Sequence, residues 1–195
     1  MHRISSTFVA LTFGAAMTLA AAAQTGMQSG TASQNDSMGK QSAGTASSDT
    51  NFMKKAAAGG LAEVELGQLA VQKASNEQVK QFGQRMIDDH SKANEQLKSV
   101  AEQEHVTLPT RPDLKDRQTK DRLEKLSGTE FDQAYMSDML KDHKKDVAEF
   151  ERESKMAKNP AVKSFAEQTL PVLREHLSLA EQIAPNQKTQ ASNMH

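Results

Sequence analysis

Three times in this chain a histidine takes the centre of an apolar helical stripe: Met86-Ile87-Asp88-Asp89-His90, Met139-Leu140-Lys141-Asp142-His143 and Leu173-Arg174-Glu175-His176. A buried polar group without a hydrogen-bond partner costs roughly 2–7 kcal/mol, so a chain that accepts three such imidazoles must satisfy them together. Strand alternation is absent. Apolar residues recur instead at helical spacing over four long segments, residues 51–74, 76–104, 129–158 and 160–184. The fold class that follows is all-α, with long helices packed side by side around one polar layer.

Start and stop signals delimit these segments. Ser75-Asn76 breaks the first and caps the second, Ser127-Gly128 precedes the third, and Asn159 is the N-cap of the fourth with Pro160 at its first helical position. The connection over residues 105–128 holds Pro109 and Pro112, then a stretch with Leu114, Leu123 and Leu126 able to form a short helix. It is long enough to run the length of a bundle, which predicts a four-helix bundle with one long connection between its second and third helices. Pro171, inside the last segment, removes one helical hydrogen bond and predicts a bend.

The two ends are of different character. Met1-His2-Arg3, the apolar run Phe8 to Leu19 and Ala21-Ala22-Ala23 read as a secretory signal peptide over residues 1–23, too short to be a membrane span. Residues 24–50 are rich in Gly, Ser, Thr, Gln and Ala and offer almost nothing to bury, so a flexible tether is expected there, and a flexible tail over residues 185–195. Cysteine is absent, which excludes a disulfide framework in an exported protein and leaves core packing to hold the domain. A periplasmic location is the expectation. With 24 Lys and Arg against 25 Asp and Glu, and Arg3 lost with the leader, the mature net charge is about −2 and no nucleic-acid footprint appears.

At 100° per residue, His90, His143 and His176 centre the apolar stripes of their segments, and Glu63 centres that of the first. Their depths agree: Glu63 lies 12 residues before Ser75 and His90 lies 15 after it, while His143 lies 16 before Asn159 and His176 lies 17 after. At roughly 1.5 Å per residue these offsets differ by about a turn, so all four can meet in one layer. Imidazole and carboxylate ligands suit zinc, copper, iron or manganese, and four-helix bundles build metal sites from inward side chains. Asp89, Asp142 and Glu175, each directly before a histidine, point about 100° away and are placed to orient an imidazole of a neighbouring helix. Met86 and Met139 share the face of His90 and His143, and Gly59, Gly60 and Gly67 suggest close helix approach. No serine or cysteine nucleophile arrangement is present.

The motifs Gly60-Leu61-Ala62-Glu63-Val64-Glu65-Leu66-Gly67, Met86 to His90, Gly128-Thr129-Glu130-Phe131-Asp132 with Tyr135, Asp142-His143, and Leu170-Pro171-Val172-Leu173-Arg174-Glu175-His176-Leu177 resemble those of the exported bacterial DUF4142 family. The resemblance spans about residues 51–183 and implies a ferritin-like bundle, export with association at the outer membrane, and no defined activity. Dinuclear ferritin sites place Glu three residues before His, where this chain has Ile87, Leu140 and Leu173. Ferroxidase chemistry and bulk iron storage are therefore not expected.

Two functions of different class follow. One is a periplasmic metal-binding or stress-related protein holding a single transition-metal ion through Glu63, His90, His143 and His176. The other is a non-catalytic cell-envelope interaction module, docking through exposed helical faces or its tether, with a vestigial polar layer in its core. The oligomeric state is open in both.

Overall fold

The computed structural model describes the backbone of residues 36–192 and the side chains of residues 47–184. It holds five helices, α1 (Asp36–Lys73), α2 (Glu77–Gln103), α3 (Leu114–Leu123), α4 (Gly128–Met156) and α5 (Pro160–Ser192). The expected leader, residues 1–23, lies outside the described residues, as do the tether up to residue 35 and residues 193–195 of the tail. The backbone of α1 begins at Asp36 and that of α5 ends at Ser192, beyond the expected limits at Asn51 and Ala184. Adding residues to an existing helix costs little once its nucleus is packed, so a helix outruns the apolar stripe that holds it. Helix α5 continues through Pro171.

Helix α1 packs on α2 and α4 on α5, and the two hairpins meet through α2 against α5 and α1 against α4. Each pair of neighbours is antiparallel, while α2 and α4 run the same way. That topology requires the long connection to run from the end of α2 back along the bundle to the end where α2 began, as predicted. Helix α3 lies within this return and packs on α1 and α4, with Leu123 fully buried and Lys73 donating from the end of α1 to the Leu126 carbonyl at 3.0 Å.

Side-chain caps fix the turns. Asn76 accepts from the Gln78 amide at 2.8 Å, and Asn159 accepts from the amides of Ala161 at 2.8 Å and Val162 at 3.2 Å. Helix α2 ends in a Schellman turn, with the Val106 amide donating to the Ala101 carbonyl at 2.8 Å and His105 at φ 54°. His105 is thus a helix stop away from the polar layer.

Two buried carboxylates latch the ends of the bundle. At one end Asp132 of α4 accepts from the Ser75 amide (3.1 Å), the Ser75 hydroxyl (2.5 Å) and the Asn76 amide (2.9 Å). At the other, Asp49 of α1 accepts from the amides of Lys158 (3.0 Å) and Asn159 (2.7 Å). Asp49 falls in the stretch expected to be a tether, and its capping bonds make it part of the folded unit.

The apolar core is divided in two. One cluster gathers Leu66, Phe82, Met86, Phe131, Tyr135, Met139 and Ile183, and the other gathers Phe52, Leu97, Phe150, Phe165 and Leu173. On every long helix the residue between the two clusters is polar: Glu63, His90, His143 and His176, all buried. The layer predicted from counting residues is the plane separating the two half-cores. Among the described residues no helix is long and apolar enough to cross a membrane.

Candidate metal centre

His143 and His176 are fully buried, and His90 and Glu63 are 7% and 5% exposed. The imidazoles sit close together, with ring centroids 5.9 Å apart for His90 and His143, 5.4 Å for His90 and His176, and 5.3 Å for His143 and His176. One ring nitrogen of each lies within 4.8 Å of the corresponding nitrogens of the other two. A zinc ion with Zn–N bonds of about 2.0–2.1 Å would draw such nitrogens to about 3.4 Å of one another.

Hydrogen bonds outside the cluster fix which nitrogen of two rings carries the proton. His143 Nδ1 lies 3.0 Å from the Met139 carbonyl oxygen one turn earlier, and a carbonyl only accepts, so Nδ1–H is the donor. His176 Nε2 donates likewise to Asp89 Oδ2 of α2 at 2.8 Å. The remaining nitrogens, His143 Nε2 and His176 Nδ1, are bare lone pairs. Together with His90 Nε2 they are buried ring nitrogens that have no hydrogen-bond partner among the described residues. Orienting one ring nitrogen by a hydrogen bond and leaving the other free is how proteins present histidine to a metal.

Asp89 was expected to orient a neighbouring helix's imidazole, and it is bonded to one. It also accepts from Arg85 Nε at 3.2 Å, and Arg85 reaches on to Glu175, so Glu175 is tied through Arg85 to the carboxylate behind His176. Asp142 makes no hydrogen bond to a ring nitrogen among the described residues. It pairs with Lys145 at 2.7 Å and Lys115 at 3.7 Å, because a residue one position before an inward histidine emerges toward the α3 side.

Glu63 reaches the layer but stands apart from the cluster of three nitrogens. Its Oε2 is buried without a partner, and it lines a cavity shared with His90, Leu66, Thr169 and Leu173. Of the four residues assigned to one centre, three converge and the carboxylate stands beside them.

Burial keeps the layer uncharged. Desolvation, with the neighbouring imidazoles, holds His90 well below the usual histidine range; His143 is lowered to about 4 by desolvation and His176, against the opposing Met139 carbonyl. His176 is lowered by desolvation despite its bond to Asp89. Desolvation, reinforced by Asp146 and Asp142, raises Glu63 well above the ordinary carboxylate range. Neutral imidazole is the form able to ligate a metal, and burial favours that form at neutral pH. Tyr135, fully buried with its hydroxyl unpartnered and its pKa raised by burial, was missed as a polar core residue. Its place in the Gly128 to Tyr135 motif was the available signal.

The protein is thus a helical bundle with a buried three-histidine layer. The chain matches the family model described as "Domain of unknown function (DUF4142)" over residues 16–183, and it belongs to that family. A solved structure of a DUF305 protein from Streptomyces coelicolor, called a secreted protein, has the same fold at a TM-score of 0.63 and 12% identity, covering 74% of this chain and 96% of that one. No curated protein matches the chain.

Proposed function

We propose that the protein binds one transition-metal ion in its core through His90, His143 and His176, with Glu63 or water completing the coordination. The observation that carries this reading is three buried histidines that each bring a ring nitrogen within 4.8 Å of the others and each leave one buried ring nitrogen without a partner among the described residues. Three neutral nitrogen donors suit zinc, copper or iron, and manganese if Glu63 joins them. Three protein ligands with a position left open would let the ion polarise a bound water or small ligand, or simply be stored or buffered.

We place this function outside the cytoplasm. The charged start, apolar run and alanine site of residues 1–23 support export, and the neighbour of the same fold is called secreted. The reading as an interaction module has less support: among the described residues the large exposed apolar side chains are Val71, Leu114 and Met156, spread over three helices.

Calorimetry on tag-free protein with zinc, copper, iron and manganese tests the reading. One ion per chain should bind, His143→Ala should lose it, and His105→Ala should retain it. Absence of any binding that depends on His143 would make the layer structural.

A further inference from the structure

A cavity of about 480 Å³ leads inward between α1, α3 and α4 and ends on Glu63 and His90. A cation with six waters at about 30 Å³ each needs roughly 180 Å³, so a hydrated ion fits. Carboxylates line the way: Asp116 from α3 and Asp142, Asp146 and Glu149 from α4. Lysines stand at the rim, but their pairings are specific. Lys115 and Lys145 pair with Asp142, and Lys55, with its side chain 71% exposed, pairs with Glu149 at 3.7 Å. Lys54 also lines the cavity and is exposed. Among the described residues no ion pair reaches Asp116, Asp146 or Glu63.

Two further observations point to a ligand at the inner end. Glu63 is 5% exposed with Oε2 unpartnered, and His90 is 7% exposed with Nε2 unpartnered, and both side chains line this cavity. The opposite approach differs. A smaller cavity of about 260 Å³ between α2 and α5 also reaches His90 and His176. Its carboxylate, Asp89, is already held by Arg85 and His176, and Lys92 lines the same wall.

We propose that the cavity between α1, α3 and α4 is the way by which a hydrated divalent cation reaches the three imidazoles, with Asp116 and Asp146 attracting it and Glu63 receiving it last. The inference rests on the metal-binding reading above. Carboxylates outnumber lysines along this cavity, and an acidic excess in a low-dielectric cleft concentrates cations and raises association rates by about 10- to 1,000-fold, an effect that salt removes. Burial and the neighbours Asp142 and Glu149 push the Asp146 carboxyl up to about 7, a repulsion that a passing cation relieves.

Glycine offers a steric probe. A Cβ at Gly59, which lines this cavity, meets nothing within 4 Å, so a larger side chain there occupies the passage without displacing the core. Gln168 is exposed and lines the cavity on the α2–α5 side. The experiment is stopped-flow binding of Co²⁺, followed by its absorption, to the full mature chain at low and high salt, with circular dichroism verifying each fold.

The isosteric pair Asp116→Asn with Asp146→Asn should slow association about tenfold and flatten its salt dependence, with stoichiometry unchanged. Gly59→Phe should slow it as well, and Gln168→Trp should leave it as in the wild type. Unchanged rates in the first two variants, or slowing confined to Gln168→Trp, would overturn the path while leaving the metal site intact. A wild-type chain that binds no Co²⁺ would overturn both.

Discussion

Asp89 of α2 accepts a hydrogen bond from His176 Nε2 of α5 at 2.8 Å, and this contact between two hairpins leaves Nδ1 as the ring nitrogen of His176 that is buried without a partner among the described residues. The carboxylate is itself gripped by Arg85 at 3.2 Å, which in turn reaches Glu175 on the helix of the histidine it orients. The closed loop from α2 to α5 and back ties ring orientation to hairpin docking.

Replacing Asp89 by Ala should therefore weaken metal binding by about 10- to 100-fold, the usual cost of losing a group that orients a ligating histidine. Arg85→Gln should cost less, since Asp89 stays in place. Calorimetric titration of the two variants checks the order, and equal affinity of Asp89→Ala and wild type would show that His176 is not a ligand or needs no orienting.

Glycines separate close approach from open space. A Cβ on Gly67 would stand 2.6 Å from the Gly83 carbonyl oxygen, and one on Gly83 would stand 2.8 Å from the Ala70 Cβ, so α1 and α2 touch backbone to backbone there. Gly67→Ala should lower stability by about 1–3 kcal/mol, the cost of overpacking exceeding the helix-propensity gain. Gly59→Ala, with nothing within 4 Å, should raise stability by about 0.5–1 kcal/mol. Urea denaturation of the two variants should move in opposite directions.

The latch at Asp132 makes a third test. It is 1% exposed and satisfies three donors of the α1–α2 turn, so Asp132→Ala leaves buried amides unpaired and should cost about 2–4 kcal/mol. Asp49→Ala, which leaves the two part-buried amides of Lys158 and Asn159 unpaired rather than three donors, should cost about 1–2 kcal/mol. Thermal melts that place the two losses in the reverse order would mean that the Asp49 latch at the α4–α5 turn is the stronger of the two.

The histidine layer was legible because two regularities fix it: the 100° step selects the buried face, and distances from the turn residues Ser75 and Asn159 fix the depth. The four-helix topology with one long connection was legible in the unequal loop lengths. The latches were not. Asp132 reaches a turn 57 residues earlier in the chain, and a carboxylate that bonds backbone amides leaves no periodic mark. Asp49 lies in a low-complexity stretch whose composition predicts a tether, and only its amide partners, about 110 residues on, give it a role. Glu63 was placed at the right depth, but residue counting fixes height along a helix and not the lateral gap that sets it beside the imidazoles.

Acid should dissolve the layer in a defined window. His143 titrates at about 4 in the fold against 6.5 ordinarily, so between these values the unfolded chain binds a proton that the folded one refuses. Its contribution to stability is full above about pH 6.5 and is lost as pH falls through 4, on the order of 3 kcal/mol in all. His90 and His176, also lowered, act in the same direction. Asp146 acts in the opposite one: raised from 3.8 to about 7, it contributes most below 3.8 and loses that contribution as pH rises through 7. Measured between pH 7 and 4 without metal, His143→Gln should lose less stability on acidification than wild type, and Asp146→Asn should lose more. Bound metal, which competes with the proton for the same lone pairs, should move the acid transition of the wild type to lower pH. If the His143→Gln and wild-type profiles run parallel across that window, His143 does not titrate as its burial requires.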